Sequence, residues 1–102
     1  MFTKPTMSTE KIFTYNGHEC VIARHSKLGH LCGYISVDAT CEDDSPYVWC
    51  HGGITYYGTL NTIPEHTKSF YIGFDCAHGG DTPEECDLNF CILECIAMVD
   101  QL

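Results

Sequence analysis

Basic residues are scarce in this chain of 102 residues. Five Lys and Arg stand against fourteen Asp and Glu, for a formal net charge of −9. A surface so one-sided repels polyphosphate, so direct DNA or RNA binding is not expected and basic partners are. Long apolar runs are missing too. Without eighteen apolar residues in a row, no helix is expected to cross a membrane. The first ten residues also lack the apolar core of a secretory signal. The expected compartment is therefore the cytoplasm, where thiols stay reduced. Nor is there a Walker A or Rossmann glycine pattern, a C-x-x-C or an H-x-x-x-H. No reaction is named by a motif.

What is present suffices for a folded domain. The apolar fraction is 44% and the aromatic fraction 12%, which excludes wholesale disorder. The length fits one domain: a flexible tail over residues 1–10 and a single unit over 11–102. Eight cysteines would suggest a disulfide scaffold in a secreted protein. In a reduced compartment most are expected to pack as small apolar side chains. Cys91 and Cys95, four apart on a helix face, are the clearest cases.

The pattern predicts an α+β fold of about five mostly antiparallel strands with one C-terminal helix packed on the sheet. Lys11–Tyr15 is β-branched and aromatic, and Asn16-Gly17 is a strong hairpin signal. His18–Arg24 returns. His30–Val37 makes a third strand with Leu31, Gly33, Ile35 and Val37 on one face, and His30, Cys32, Tyr34 and Ser36 on the other. Asp38–Tyr47 is an acidic loop without EF-hand spacing. Ile54–Gly58 and Lys68–Cys76 complete the strands, separated by a loop with Pro64. The helix has two candidate starts. Thr82-Pro83-Glu84-Glu85 resembles a capping box, and Asp87 is the alternative. Leu88, Ile92, Cys95, Ile96, Val99 and Leu102 follow helical spacing.

Two stretches concentrate chemistry. Cys50-His51-Gly52-Gly53 opens a strand, and Asp75-Cys76-Ala77-His78-Gly79-Gly80-Asp81 closes one. His30 with Cys32, and Cys76 with His78, are i, i+2 pairs that share a strand face. Cys32, His51, Cys76 and His78 are the expected zinc ligands, with Asp81 as a substitute. The plain alternative is that the histidines bond turn backbones and Cys76 fills core. Cys32, His51 and Asp75 form a candidate thiol-hydrolase trio. The pairs Gly52-Gly53 and Gly79-Gly80 allow close backbone approach to an anion. Tyr56, Tyr57, Tyr71 and Trp49 could stack on a base beside them.

In order, the segments Gly29-His30-Leu31-Cys32-Gly33-Tyr34, His51-Gly52-Gly53-Ile54-Thr55-Tyr56, Gly73 through Asp81, and Glu94-Cys95 resemble a family of small phage and prophage proteins. Its members carry GH-x-CGY, a VHGGLT-like segment, GFDCAH-x-GD and a C-terminal helix with an EC pair. The resemblance covers about residues 18–102. Here the loop after Val37 is acidic and the segment between Asp81 and the helix is short, unlike the family pattern. The family has no assigned activity, so the resemblance implies viral origin and a shared site at His30, Cys32, His51, Asp75, Cys76, His78 and Asp81.

Three functions follow as expectations. The first is an anti-CRISPR-like inhibitor that docks on a basic groove of a host effector nuclease, with Glu42, Asp43 and Asp44 as contacts. The second is a sponge for a nucleotide signal, with the glycine turns at Gly52-Gly53 and Gly79-Gly80 and tyrosines such as Tyr56 lining a pocket; Asp75 and Asp81 are binding candidates without an assigned role. The third is a zinc-dependent hydrolase using the Cys/His/Asp cluster.

Overall fold

The computed structural model describes residues 7–60 and 69–102. The expected Pro64 loop, the Lys68 strand start and the first six residues lie outside these. Strands β1 (Met7–Tyr15), β2 (His18–His25), β3 (Leu31–Val37), β4 (Tyr56–Gly58) and β5 (Phe70–Asp75) precede one helix, α1 (Leu88–Val99). The strands form one sheet in the order β1-β2-β3-β5-β4. Every pairing is antiparallel. This is the expected α+β fold, with α1 packed on one face.

Local chemistry explains the connections. Asn16 and Gly17 have φ of 52° and 82°, the left-handed pair a two-residue hairpin turn requires. β1 begins at Met7, four residues before the expected start. Met7, Ser8 and Thr9 pair with His25, Arg24 and Ala23, and the Glu10 carboxylate sits 3.2 Å from Arg24 Nε. These polar residues lie at a sheet edge, where backbone pairing needs no apolar pattern.

Strand alternation divides the core in two. Cys20, Ile22, Leu31, Ile35, Ile72, Phe74 and Cys76 face α1, where Cys91, Cys95, Met98 and Val99 meet them. Val21, Ala23, Cys32, Tyr34 and Tyr71 occupy the other face with Leu60. Each large apolar side chain fully buried here contributes about 1.5–3 kcal/mol. The helix stripe is turned slightly from the expected one. Cys91 and Cys95 are buried as expected, but Met98 joins them and Leu102 is exposed. The small thiols of Cys91 and Cys95 let the helix sit close to the sheet. A Cβ added at Gly33 would come within 3.1 Å of Cys95 Sγ.

Asp87, not Thr82, caps α1, with Phe90 N donating to Asp87 Oδ1 at 2.8 Å. Thr82–Glu85 makes only a turn, in which Glu85 N donates to Thr82 Oγ1 at 3.2 Å. The chain then continues to Cys86, which is buried. Among the described residues no helix is long and apolar enough to cross a membrane.

Candidate functional site

Three irregular segments converge beside the end of β5: the turn at 50–53, the turn at 76–81 and the approach to α1 at 82–87. The first is tied to the helix by its backbone. His51 N donates to Glu94 Oε2 at 2.7 Å, while Gln101 exchanges two hydrogen bonds with the Trp49 backbone at 2.7 and 2.8 Å. Gly52, at φ 71°, lies against the His78 ring, and a Cβ there would overlap it.

Asp81 organises the second turn. Its Oδ2 accepts from His78 N at 2.9 Å and faces His78 Nδ1 at 3.2 Å. Its Oδ1 is 2.9 Å from His51 Nε2. The His78 amide, followed by the two imidazoles, holds the Asp81 carboxyl down at about 2. His78 Nε2 in turn lies 3.7 Å from Asp75 Oδ1. Asp75 also accepts from Thr55 Oγ1 at 3.0 Å and from Ala77 N at 3.1 Å.

Behind His51 lie thiols. Cys86 Sγ is 3.8 Å from His51 Nε2, and Cys76 Sγ is 3.8 Å from Cys91 Sγ. The ligand atoms of His51, Cys76 and Cys86 all lie within 4.8 Å of one another, and so do those of His51, His78 and Asp81. Burial, with the neighbouring Cys76, pushes the Cys86 thiol up to about 12. The hydrogen bond with Cys91, then burial, also raises Cys76. Without a cation, both remain thiols at neutral pH.

Of the four expected ligands, the fold brings His51, Cys76 and His78 together but not Cys32. Cys32 belongs to the opposite face of the sheet, packed with Tyr34 and Tyr71, while Cys76 faces the helix. It pairs across the ladder with Asp75, one residue before Cys76, and a one-residue step reverses the face. That geometry also separates Cys32 from His51 in the supposed hydrolase trio. Burial pushes the Cys32 thiol up to about 11. Cys86 takes its place in the cluster. In the sequence, i, i+2 pairs and glycine-flanked turns pointed to ligands; Cys86 belongs to neither and sits in a stretch that resembled a helix start.

A cleft of about 390 Å³ borders the cluster, lined by Cys76, Asp81 and Cys86 on one side and by Arg24, His30 and Leu31 on the other. His30 stacks on His25 with ring centroids 5.1 Å apart. The two glycine turns meet through Gly52 and His78, and Asp81 lines the cleft, but the tyrosines expected beside them are engaged elsewhere. Tyr71 is buried and donates to Glu19. Tyr56 packs edge-on against Tyr34 and donates to the Thr59 carbonyl. None of Gly52, Gly53, Gly79, Gly80 or these tyrosines lines the cleft or the shallower one beside His18 and Ser36.

Glu42–Asp44 forms an exposed single turn of 3-10 helix. Asp44 is committed internally, accepting from Thr40 N and Cys41 N, each at 2.9 Å, and from Thr40 Oγ1 at 2.8 Å. Glu42 and Asp43 project from an exposed surface. No protein-family model, curated protein or solved structure matches this chain.

Proposed function

We propose that this chain acts by binding: a small acidic phage accessory protein that docks on a basic surface of a host-defence protein in the host cytoplasm. The nucleic-acid groove of a CRISPR effector nuclease is the concrete target. One observation carries the reading beyond net charge. Tyr47 and Trp49 are 68% and 75% exposed, with rings edge-on at 5.4 Å, and follow the Glu42–Asp44 turn after Ser45-Pro46. Tyr and Trp dominate binding hot spots, and Gln101 holds the Trp49 backbone in place before any partner arrives. An indole face attracts Arg and Lys. Flanking carboxylates steer a basic partner and make its association salt-sensitive.

The test passes purified effector nucleases of several types over the immobilised chain. At least one is retained at low salt and released at high salt. Trp49→Ala, or Glu42→Gln with Asp43→Asn, weakens retention at least tenfold. Binding indifferent to salt and to both variants, or retention of no effector, would overturn the reading.

The cleft supports a second reading, a zinc-dependent hydrolase in which His51, Cys76 and Cys86 would hold the ion and the ion would supply Lewis acidity and an activated water. Cys76, Asp81 and Cys86 line it, so an ion held there would face open space. This requires a coordination position free of protein. A metal-loaded chain that cleaves no ester, amide or phosphodiester in a substrate panel would remove it.

A further inference from the structure

We infer that His51, Cys76 and Cys86 hold one zinc ion that staples the three irregular segments together, with Asp81, whose Oδ1 already lies 2.9 Å from His51 Nε2, drawn in as the fourth ligand. The site is independent of the docking surface above, and with four protein donors it leaves no open position for the hydrolase reading.

The donor set comes first. Two thiols, an imidazole and a carboxylate suit borderline-soft zinc, whereas calcium and magnesium take oxygen alone. The dimensions come second. Zinc bonds of about 2.3 Å to sulfur and about 2.0 Å to nitrogen imply a sulfur-to-nitrogen edge of roughly 3.6 Å in a tetrahedron. The His51 Nε2 to Cys86 Sγ separation is 3.8 Å, and Cys76 Sγ lies within 4.8 Å of both.

The hydrogen-bonding ledger is the third point. One ring nitrogen, His51 Nε2, meets Asp81 Oδ1 at 2.9 Å and Cys86 Sγ at 3.8 Å. As Nε2–H it donates to the carboxylate with the thiol sulfur beside the same hydrogen; with a cation in its place, nitrogen, oxygen and sulfur would each offer a lone pair to one point. The remaining contacts fit a second shell that orients ligands. His78 N and Nδ1 hold Asp81 Oδ2, leaving Oδ1 toward His51.

The last point is burial. Cys76 and Cys86 are each 7% exposed, and Asp81's side chain is 11% exposed. His51 is more open, at 27%, so an ion here would sit in the wall of the cleft with its sulfur ligands buried. Binding releases the two thiol protons, so the occupied centre carries two thiolates, one carboxylate and Zn²⁺, for a net charge of −1. A structural metal is a common staple in domains whose core is small.

The experiment is elemental analysis of the untagged full chain purified without chelator, joined to cobalt substitution. Expected are one zinc per chain, and with Co²⁺ a sulfur-to-cobalt charge-transfer band with tetrahedral d–d intensity. Cys86→Ser and His51→Ala lose the metal, whereas Cys32→Ser keeps it. Asp81→Asn weakens zinc binding by at least tenfold in a chelator competition. The cobalt spectrum is read on the native chain, so misfolding variants cannot mask the answer. No zinc together with no cobalt band would overturn the inference, and so would full zinc retention in Cys86→Ser.

Discussion

Gly52 lies directly beneath the imidazole of His78, at a position where any Cβ would overlap the ring. The contact joins two turns that meet only because the chain brings 50–53 back to the end of β5. Gly52 also has φ of 71°, a conformation costly for a residue with a side chain. Gly52→Ala should therefore destabilise the fold by about 1–3 kcal/mol. A urea titration reads this as a lowered midpoint with an unchanged slope. Gly53 is the control: its φ is also positive, but an added Cβ meets nothing. Gly53→Ala should cost less, and equal losses at the two sites would show that the ring contact is unimportant.

The helix start gives a sharper contrast, because two starts compete in the sequence. Asp87 supplies the cap through Phe90 N, while Thr82 closes an exposed turn. Removing a true N-cap costs about 1 kcal/mol. Asp87→Ala should lose about that much, and Thr82→Ala no more than about 0.5 kcal/mol, as for an ordinary surface change. Thermal unfolding of the two variants decides it, and the reverse order would place the cap at Thr82.

These sites mark how far the sequence could be read. The two faces of residues 31–37 and the Asn16-Gly17 turn were legible because strand alternation and positive φ leave direct traces in residue type, although both faces of this strand are buried. The Met7–Glu10 stretch of β1 left none, since an edge strand is held by backbone bonds and its side chains are exposed. The site was half legible. His51, Cys76, His78 and Asp81 were marked by glycine-flanked turns. Cys32 was marked by its i, i+2 partner, but a shared face within one strand says nothing about the facing strand. There, the ladder sets Cys32 opposite Asp75 and so turns it away from Cys76. Cys86 could be placed only by knowing that the capping-box pattern stops after one turn.

Asp44 supplies a pH test away from the cluster. Backbone donation from Cys41, then the hydroxyl and amide of Thr40, lowers its carboxyl below the ordinary 3.8. A carboxylate with a depressed folded value contributes its stabilisation above the unfolded value and loses it as pH falls through the folded one. The 40–44 turn should thus keep its amide shifts at pH 5 and lose them only in acid below 3.8. NMR of the Thr40 and Cys41 amides follows the change. Asp44→Asn should loosen the turn at neutral pH while leaving the sheet intact. Amide shifts that move near pH 5 would show that the carboxylate is not held in this way.

Eight thiols in one small domain make reactivity a map of the fold. Cys41 is exposed and Cys50 half-buried, whereas Cys20, Cys32, Cys76, Cys86, Cys91 and Cys95 are buried and all eight are free. Attack on a disulfide reagent needs thiolate as well as access. Burial suppresses both, pushing Cys50 up to about 11 and Cys32 likewise. The native chain at neutral pH should therefore show one fast thiol, mapped by mass spectrometry to Cys41 and abolished in Cys41→Ser. Cys50 should follow slowly, and the other six only in denaturant. Fast labelling of Cys91 or Cys95 would mean that α1 leaves the sheet readily. The close approach over Gly33 argues against that, because a helix seated on small side chains separates only by giving up the whole Cys91–Met98 contact at once.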